Sequence, residues 1–261
     1  MTKVVILAGG YGTRLSEETD KIPKPMLKIG DKPILWHIMK IYSFFGINDF
    51  IISCGYKADV IKEYFSDYQD LNSSISIDFE NNSFHIHHKN NENWKVTLVD
   101  TGLNTMTGGR LKRIKNYLIN ENFFCLTYGD GLADINISKL IDFHKKHGKL
   151  ATVTATRPVA RFGALKFDSI NQDKVCNFKE KSSGDESWIN GGFFVLHPNV
   201  IDKINGDSTS WELEPLASLA QEGELFAYKH FGFWMPMDTL REKLHLNELW
   251  NNKIAPWKLW K

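Results

Sequence analysis

The sequence predicts an α/β protein built on a mainly parallel sheet, and three observations carry that expectation. An apolar run, Lys3-Val4-Val5-Ile6-Leu7-Ala8, stops abruptly on two glycines. Segments with helical apolar spacing then alternate with apolar runs of strand length. The composition, 42% hydrophobic and 24% charged, is that of an ordinary globular chain, which excludes a disordered or fibrous one.

Residues 3–8 read as a strand covered on both faces, because no polar side chain follows Lys3. A loop rich in Gly, Thr, Ser and Pro runs on to Gly30. Ile34, Leu35, Ile38, Ile41, Tyr42 and Phe45 recur at helical spacing, with Gly46 as the stop. Phe50-Ile51-Ile52-Ser53-Cys54 reads as the second strand, and Val60, Ile61, Tyr64, Phe65 and Tyr68 as the apolar face of a second helix. The order strand, helix, strand, helix implies right-handed crossovers between parallel neighbours.

From about 72 to 100 the period changes to two. Ile75, Ile77 and Phe79 alternate, as do Phe84 and Ile86, with Asn81-Asn82-Ser83 as a hairpin turn, so this stretch is expected to form a small β-rich excursion. Phe123–Thr127 returns to a buried-strand pattern and ends in Tyr128-Gly129-Asp130-Gly131. A helix is expected over 137–147, strands at 151–156, 164–167, 175–178 and 193–196, and helices near 212–221 and 240–250. No repeat or linker interrupts the chain, so 1–261 reads as a single domain with a more irregular half from about 150 to 261.

Thirty-two basic against 31 acidic side chains leave a net charge of +1, which argues against nucleic acid or an anionic membrane as partner. No run approaches the roughly 18 apolar residues of a membrane span, and the opening run is too short for a signal-peptide core. Cys54, Cys125 and Cys176 are odd in number and widely spaced, without a disulfide framework or a thiolate zinc pattern. A cytoplasmic location is the expectation.

Chemistry is concentrated in a few places. Leu7-Ala8-Gly9-Gly10-Tyr11-Gly12-Thr13-Arg14 delivers backbone N–H groups without Cβ obstruction, as an anion-binding nest requires, and Arg14 adds a guanidinium suited to a polyphosphate. It lacks both the Walker lysine and the Gly-x-Gly-x-x-Gly of dinucleotide-dependent oxidoreductases. On its own it also fits a plain glycine turn. In Pro23-Lys24-Pro25 two prolines stiffen the backbone around one lysine, either a solvated turn residue or a second phosphate cation. Asp130 lies between glycines at the carboxyl end of a central strand, where ligands bind in open α/β sheets, and a β-turn aspartate fits equally. Asp238 precedes the segment starting at Thr239 and suits a helix N-cap. Trp250, Trp257 and Trp260 suit packing or an interface, and His85, His87 and His88 a surface hairpin.

Leu7-Ala8-Gly9-Gly10-x-Gly12-Thr13-Arg14-Leu15 followed by Pro23-Lys24-Pro25-Met26 strongly resembles the signature of the sugar-1-phosphate nucleotidylyltransferases. The resemblance implies a Rossmann-like three-layer α/β/α fold and transfer of a nucleotidyl group to a sugar phosphate. Later segments, among them Met106-Thr107-Gly108-Gly109-Arg110-Leu111-Lys112-Arg113, Arg161-Phe162-Gly163-Ala164-Leu165 and Ile189-Asn190-Gly191-Gly192-Phe193, narrow it to members that join CTP and glucose 1-phosphate. It implies Arg14, Lys24, Asp130 and Asp238 as the catalytic set, with Asp130 and Asp238 as ligands of Mg²⁺. The nucleotide site would take in 7–14, Lys24, Thr105, Arg110 and Gly129; the sugar side would use Gly163, Glu180, Lys181, Asn190 and Gly191. Relatives assemble, so a homo-oligomer is expected. UTP or dTTP, another sugar phosphate, or a non-catalytic nucleotide-binding homologue are the alternatives.

Overall fold

The computed structural model describes residues 2–89, 92–157, 164–167, 175–179 and 188–260. Its centre is a seven-stranded sheet formed by β1 (Lys3–Leu7), β2 (Asp49–Cys54), β3 (Lys95–Asp100), β4 (Phe124–Tyr128), β5 (Ala151–Thr156), β6 (Ile189–Leu196) and β7 (Leu225–Lys229), in the order β7-β5-β6-β4-β1-β2-β3. Every neighbouring pair is parallel except the two made by β6, which runs against β5 and β4.

Successive residues of a strand feed opposite faces, and both faces are covered. Val4 and Ile6 pack with Ile34, Leu35 and Ile38 of α1 (Ile34–Phe44), Ile61 of α2 (Ala58–Ser66), Leu140 of α4 (Ile137–His147) and Leu246 of α6 (Leu240–Asn251). Val5 and Leu7 pack instead with Leu111 of α3 (Thr107–Arg113) and Leu219 of α5 (Glu214–Gln221). This is a three-layer α/β/α arrangement. The chain leaves β1 towards β2 and β3 and later returns to pair β4 on its other side, which opens a crevice at the carboxyl ends of β1 and β4. No helix among the described residues is long and apolar enough to cross a membrane.

The structure corrects the β-rich excursion in one respect. Residues 95–100 do not belong to it: as β3 they form the edge of the main sheet, parallel to β2. As an edge strand, β3 is only partly covered on both faces, with Val96 and Leu98 packed on one side of the sheet and Val99 on the other. The hairpin itself pairs Ser73–Asp78 with Ser83–Lys89, and Asn82 takes the left-handed conformation (φ 50°) at its turn. Cys54 and Cys125 are fully buried, and burial raises their thiol pKa values to about 11 and about 12. They are core residues with little thiolate character.

The tryptophan-rich tail folds back on α1. His37 is fully buried; its Nδ1 accepts from Trp257 Nε1 at 3.4 Å and its Nε2 donates to the Ile29 carbonyl at 3.0 Å. Trp250 crosses the imidazole at 4.5 Å between centroids, and Trp36 and Trp260 close the cage. Burial lowers the pKa of His37 to about 4, and burial followed by His147 does the same to His144. Both imidazoles charge near pH 6.5 in the unfolded chain, so the unfolded state takes up the extra protons as the pH falls from there towards 4. Stability is therefore complete above pH 6.5 and lost below it, by at most a few kcal/mol per histidine at about 1.4 kcal/mol per unit. Thermal unfolding between pH 7 and pH 5 should show a falling midpoint, and His37→Gln should flatten the dependence.

Candidate active site

The glycine loop leaves the carboxyl end of β1. A Cβ on Gly9 would stand 2.1 Å from Arg110 Nη1, so no larger residue fits there without displacing that guanidinium. Gly12 turns the chain at φ +67° into a short turn, Thr13–Leu15, that carries Arg14. Pro23 and Pro25 frame a second tight turn, Lys24–Met26, closed by the Met26 N–H on the Pro23 carbonyl at 2.8 Å. This turn buries the Lys24 side chain to 10% exposure with its ammonium facing the crevice.

Asp130 follows β4 after the single residue Gly129. The next residues, Gly131–Ala133, pair antiparallel with Trp234–Pro236, Gly131 opposite Pro236, and the Met237 N–H donates to the Asp130 carbonyl at 2.8 Å. This small ladder brings Asp238 beside Asp130 from far along the chain. The N-cap of α6 proves to be Thr239, whose hydroxyl accepts from Glu242 N–H at 3.3 Å while Glu242 Oε2 accepts from Thr239 N–H at 2.9 Å. The Asp238 carboxylate is thereby left out of capping and turned to the crevice.

Lys24 Nζ donates to Asp130 Oδ2 at 2.6 Å and to Asp238 Oδ1 at 2.5 Å. The other oxygen of Asp238 receives Arg14 Nη1, on a side chain that is 72% exposed. Two cations thus offset two carboxylates. Above them opens a cavity of about 670 Å³, lined by 7–14, Lys24, Thr105, Arg110, Gly129, Asp130, Asn190, Gly191 and Asp238, which are all the expected site positions that the structure describes. Gly163, Glu180 and Lys181 lie outside the described residues.

Arg110 is 4% exposed, and its guanidinium is bound to protein on every side that the cavity does not claim. Nη1 reaches Thr101 Oγ1 (2.8 Å) and the carbonyls of Gly102 (2.7 Å) and Cys54 (3.2 Å). Nη2 reaches the carbonyls of Gly9 (2.8 Å) and Leu103 (3.2 Å). The residue ties the glycine loop, the end of β2 and the 101–103 loop together. Burial, and then Arg113, lower its pKa from the ordinary value.

Sequence reasoning missed a polar chain across the cavity wall. Glu212 accepts from Tyr128 Oη at 2.7 Å and from Thr107 Oγ1 at 2.6 Å, and Asn190 Nδ2 donates to Tyr128 Oη at 3.2 Å. Trp234 Nε1 donates to the Gly191 carbonyl at 2.7 Å. Burial and then Glu212 raise the Tyr128 phenol well above its ordinary pKa, so it stays protonated. Lys112, Arg113 and Lys115 are tied to the 202–207 segment through the Ile204 and Asn205 carbonyls, Asp207 and Asp202.

A family model described as nucleotidyl transferase matches residues 3–230. The chain is 59% identical over 258 residues to glucose-1-phosphate cytidylyltransferase of Salmonella typhimurium, covering 99% of both chains. It is 47% identical over 259 residues to a protein of Bacillus subtilis named "Probable glucose-1-phosphate cytidylyltransferase", covering 99% of this chain and 100% of that one. Among solved structures, HddC from Yersinia pseudotuberculosis superposes with a TM-score of 0.70 at 26% identity, over 96% of this chain and 100% of that chain.

Proposed function

The chain belongs to the nucleotidyl transferase family, and from that premise we propose that it transfers CMP from CTP to α-D-glucose 1-phosphate, giving CDP-glucose and pyrophosphate. The relatives supply the substrate pair. The observation that carries the chemistry is the group of Arg14 and Lys24 on Asp130 and Asp238, at the foot of a cavity walled by the glycine loop.

A sugar-phosphate oxygen attacks the α-phosphorus of CTP, forming the new O–P bond as the bond to the bridging oxygen breaks and pyrophosphate leaves in line. The nucleophile is already anionic at neutral pH, so no side chain needs to remove a proton. The work left to the chain is placement and charge neutralisation. Lys24 and Arg14 are the cations within reach of the triphosphate, and the glycine loop offers its N–H groups. Asp130 and Asp238 fit Mg²⁺, which takes one or two carboxylates and completes its shell from phosphates and water; bound there, the ion would add Lewis-acid neutralisation of the phosphate oxygens. Lys24 stands between the same carboxylates, so its ammonium is positioned to exchange a carboxylate for a phosphate when substrate binds.

Pyrophosphate release with glucose 1-phosphate and Mg²⁺, run with CTP, UTP, dTTP, ATP and GTP in parallel, tests the reading. CTP is expected to be strongly preferred; preference for another nucleotide would discard the cytidylyl assignment, and silence with all five would discard the activity. Asp130→Asn is expected to move the Mg²⁺ titration of that release to higher concentration, and an unchanged curve would remove Asp130 from the metal site.

A further inference from the structure

After β7, at the edge of the sheet, the chain has to pass β5 and β6 before Asp238 can stand beside Asp130 at the end of β4. The ladder that receives it, 131–133 on 234–236, is three residue pairs long, and a ribbon that short is marginal on its own. One end is closed by the Met237 N–H on the Asp130 carbonyl. At the other end two donors converge on the Phe233 carbonyl, the Asp134 N–H at 3.2 Å and His230 Nε2 at 3.1 Å. A carbonyl can only accept, so Nε2 carries the hydrogen. The same nitrogen lies 3.0 Å from Asp134 Oδ1, a buried oxygen with no hydrogen bond of its own among the described residues, so the imidazole N–H dipole faces that carboxylate as well. The His230 side chain is 10% exposed, and its backbone N–H still holds β5 through the Ala155 carbonyl at 2.8 Å. Gly232 leaves the room for this arrangement: a Cβ there would stand 2.2 Å from Asp134 Oδ1 and 2.8 Å from His230 Cε1. His230, Gly232 and Asp134 do not line the cavity.

We infer that His230 is a positioning residue for the reaction: by fixing the Phe233 carbonyl and Asp134 it pins the far end of the ladder, and so sets the separation of Asp130 and Asp238. The inference rests on the metal-assisted transfer proposed above. Carboxylates that act together on one ion must be held to within about 0.5 Å, and groups behind the ligands supply that rigidity. With the far end loose, the ladder hangs from the Met237–Asp130 bond alone, and Asp238 is free to swing against Asp130. The glycine loop is held by β1 and by Arg110, on the other side of the crevice from this crossing, so nucleotide affinity is expected to be spared. The effect therefore falls on turnover and on the metal.

The test compares His230→Ala with His230→Gln, whose amide N–H pair stands where Nε2 does, and with Gly232→Ala, which drives a methyl group into Asp134. His230→Ala and Gly232→Ala are expected to lower kcat about 10- to 100-fold and to need about tenfold more Mg²⁺, with KM for CTP within about twofold of wild type. His230→Gln is expected to keep wild-type values, because it restores the donor to Phe233 and Asp134. A second readout is free of turnover. In Lys24→Ala, whose carboxylates are open to a cation, Mg²⁺ should raise the unfolding midpoint; adding His230→Ala should move that response to about tenfold higher Mg²⁺, and adding His230→Gln should not. Unfolding midpoints show which variants fold, and Gly232→Ala takes the place of His230→Ala if the latter does not. A lower midpoint with kcat and both Mg²⁺ curves unchanged would leave His230 a structural residue and overturn the inference, as would a His230→Gln no better than His230→Ala. A wild type that releases no pyrophosphate would overturn the transfer reading alone, and the Lys24→Ala comparison would then decide the positioning role. No response of Lys24→Ala to Mg²⁺, with an active wild type whose Mg²⁺ requirement His230→Ala leaves unmoved, would overturn it.

Discussion

Lys24→Ala is expected to reduce turnover about 100- to 1,000-fold, the scale of losing one preorganised charge partner of a transferring phosphate. A second effect follows from the surroundings. Lys24 is the ammonium shared by Asp130 and Asp238, both largely covered, and without it the two carboxylates face each other with only the exposed Arg14 as counter-charge. A stability loss of about 1–2 kcal/mol is expected, below that for a fully buried pair because Asp130 remains 29% exposed to solvent. Divalent cations should return part of that stability to the variant and much less to the wild type. Pyrophosphate release and unfolding midpoints with and without Mg²⁺ separate the two effects. Near wild-type turnover in the folded variant would remove Lys24 from the mechanism.

Arg110→Lys is expected to be as damaging by a different route. One ammonium with three donors cannot serve the oxygens of Gly9, Cys54, Thr101, Gly102 and Leu103 that the guanidinium now joins. The carbonyls left without a donor should lower stability by about 2–4 kcal/mol. The glycine loop loses its anchor at Gly9, so KM for the nucleotide should rise by tenfold or more. Denaturant unfolding and nucleotide titration check both parts. A variant as stable as wild type would show that the clamp is dispensable.

How far the sequence discloses such a site depends on whether a residue's role is local. Gly9, Gly12, Pro23 and Pro25 act on their own backbone, and the turns that hold Arg14 and Lys24 were readable from them. Asp130 was placed by the strand that precedes it. Asp238 was carried by resemblance alone, because the ladder that positions it, 131–133 on 234–236, consists of two three-residue strands with no periodicity to detect. Glu212 was missed for the same physical reason: its partners Thr107 and Tyr128 are far away in sequence, and nothing beside it marks a site. Residues 95–100 read as part of the hairpin region because nothing local marks their pairing, which is with the distant strand 49–54.

The short ladder between 131–133 and 234–236 has a consequence for synthesis. The glycine loop, Lys24 and Asp130 emerge from the ribosome in the first half of the chain, but Asp238 takes its place only after the final strand pairing and the docking of α6. A nascent chain that has already formed β1, β2 and β4 therefore holds half of a charge cluster, with Lys24 neutralising one carboxylate instead of two. The four-membered cluster of Arg14, Lys24, Asp130 and Asp238 is therefore completed only with the last long-range contacts of the chain.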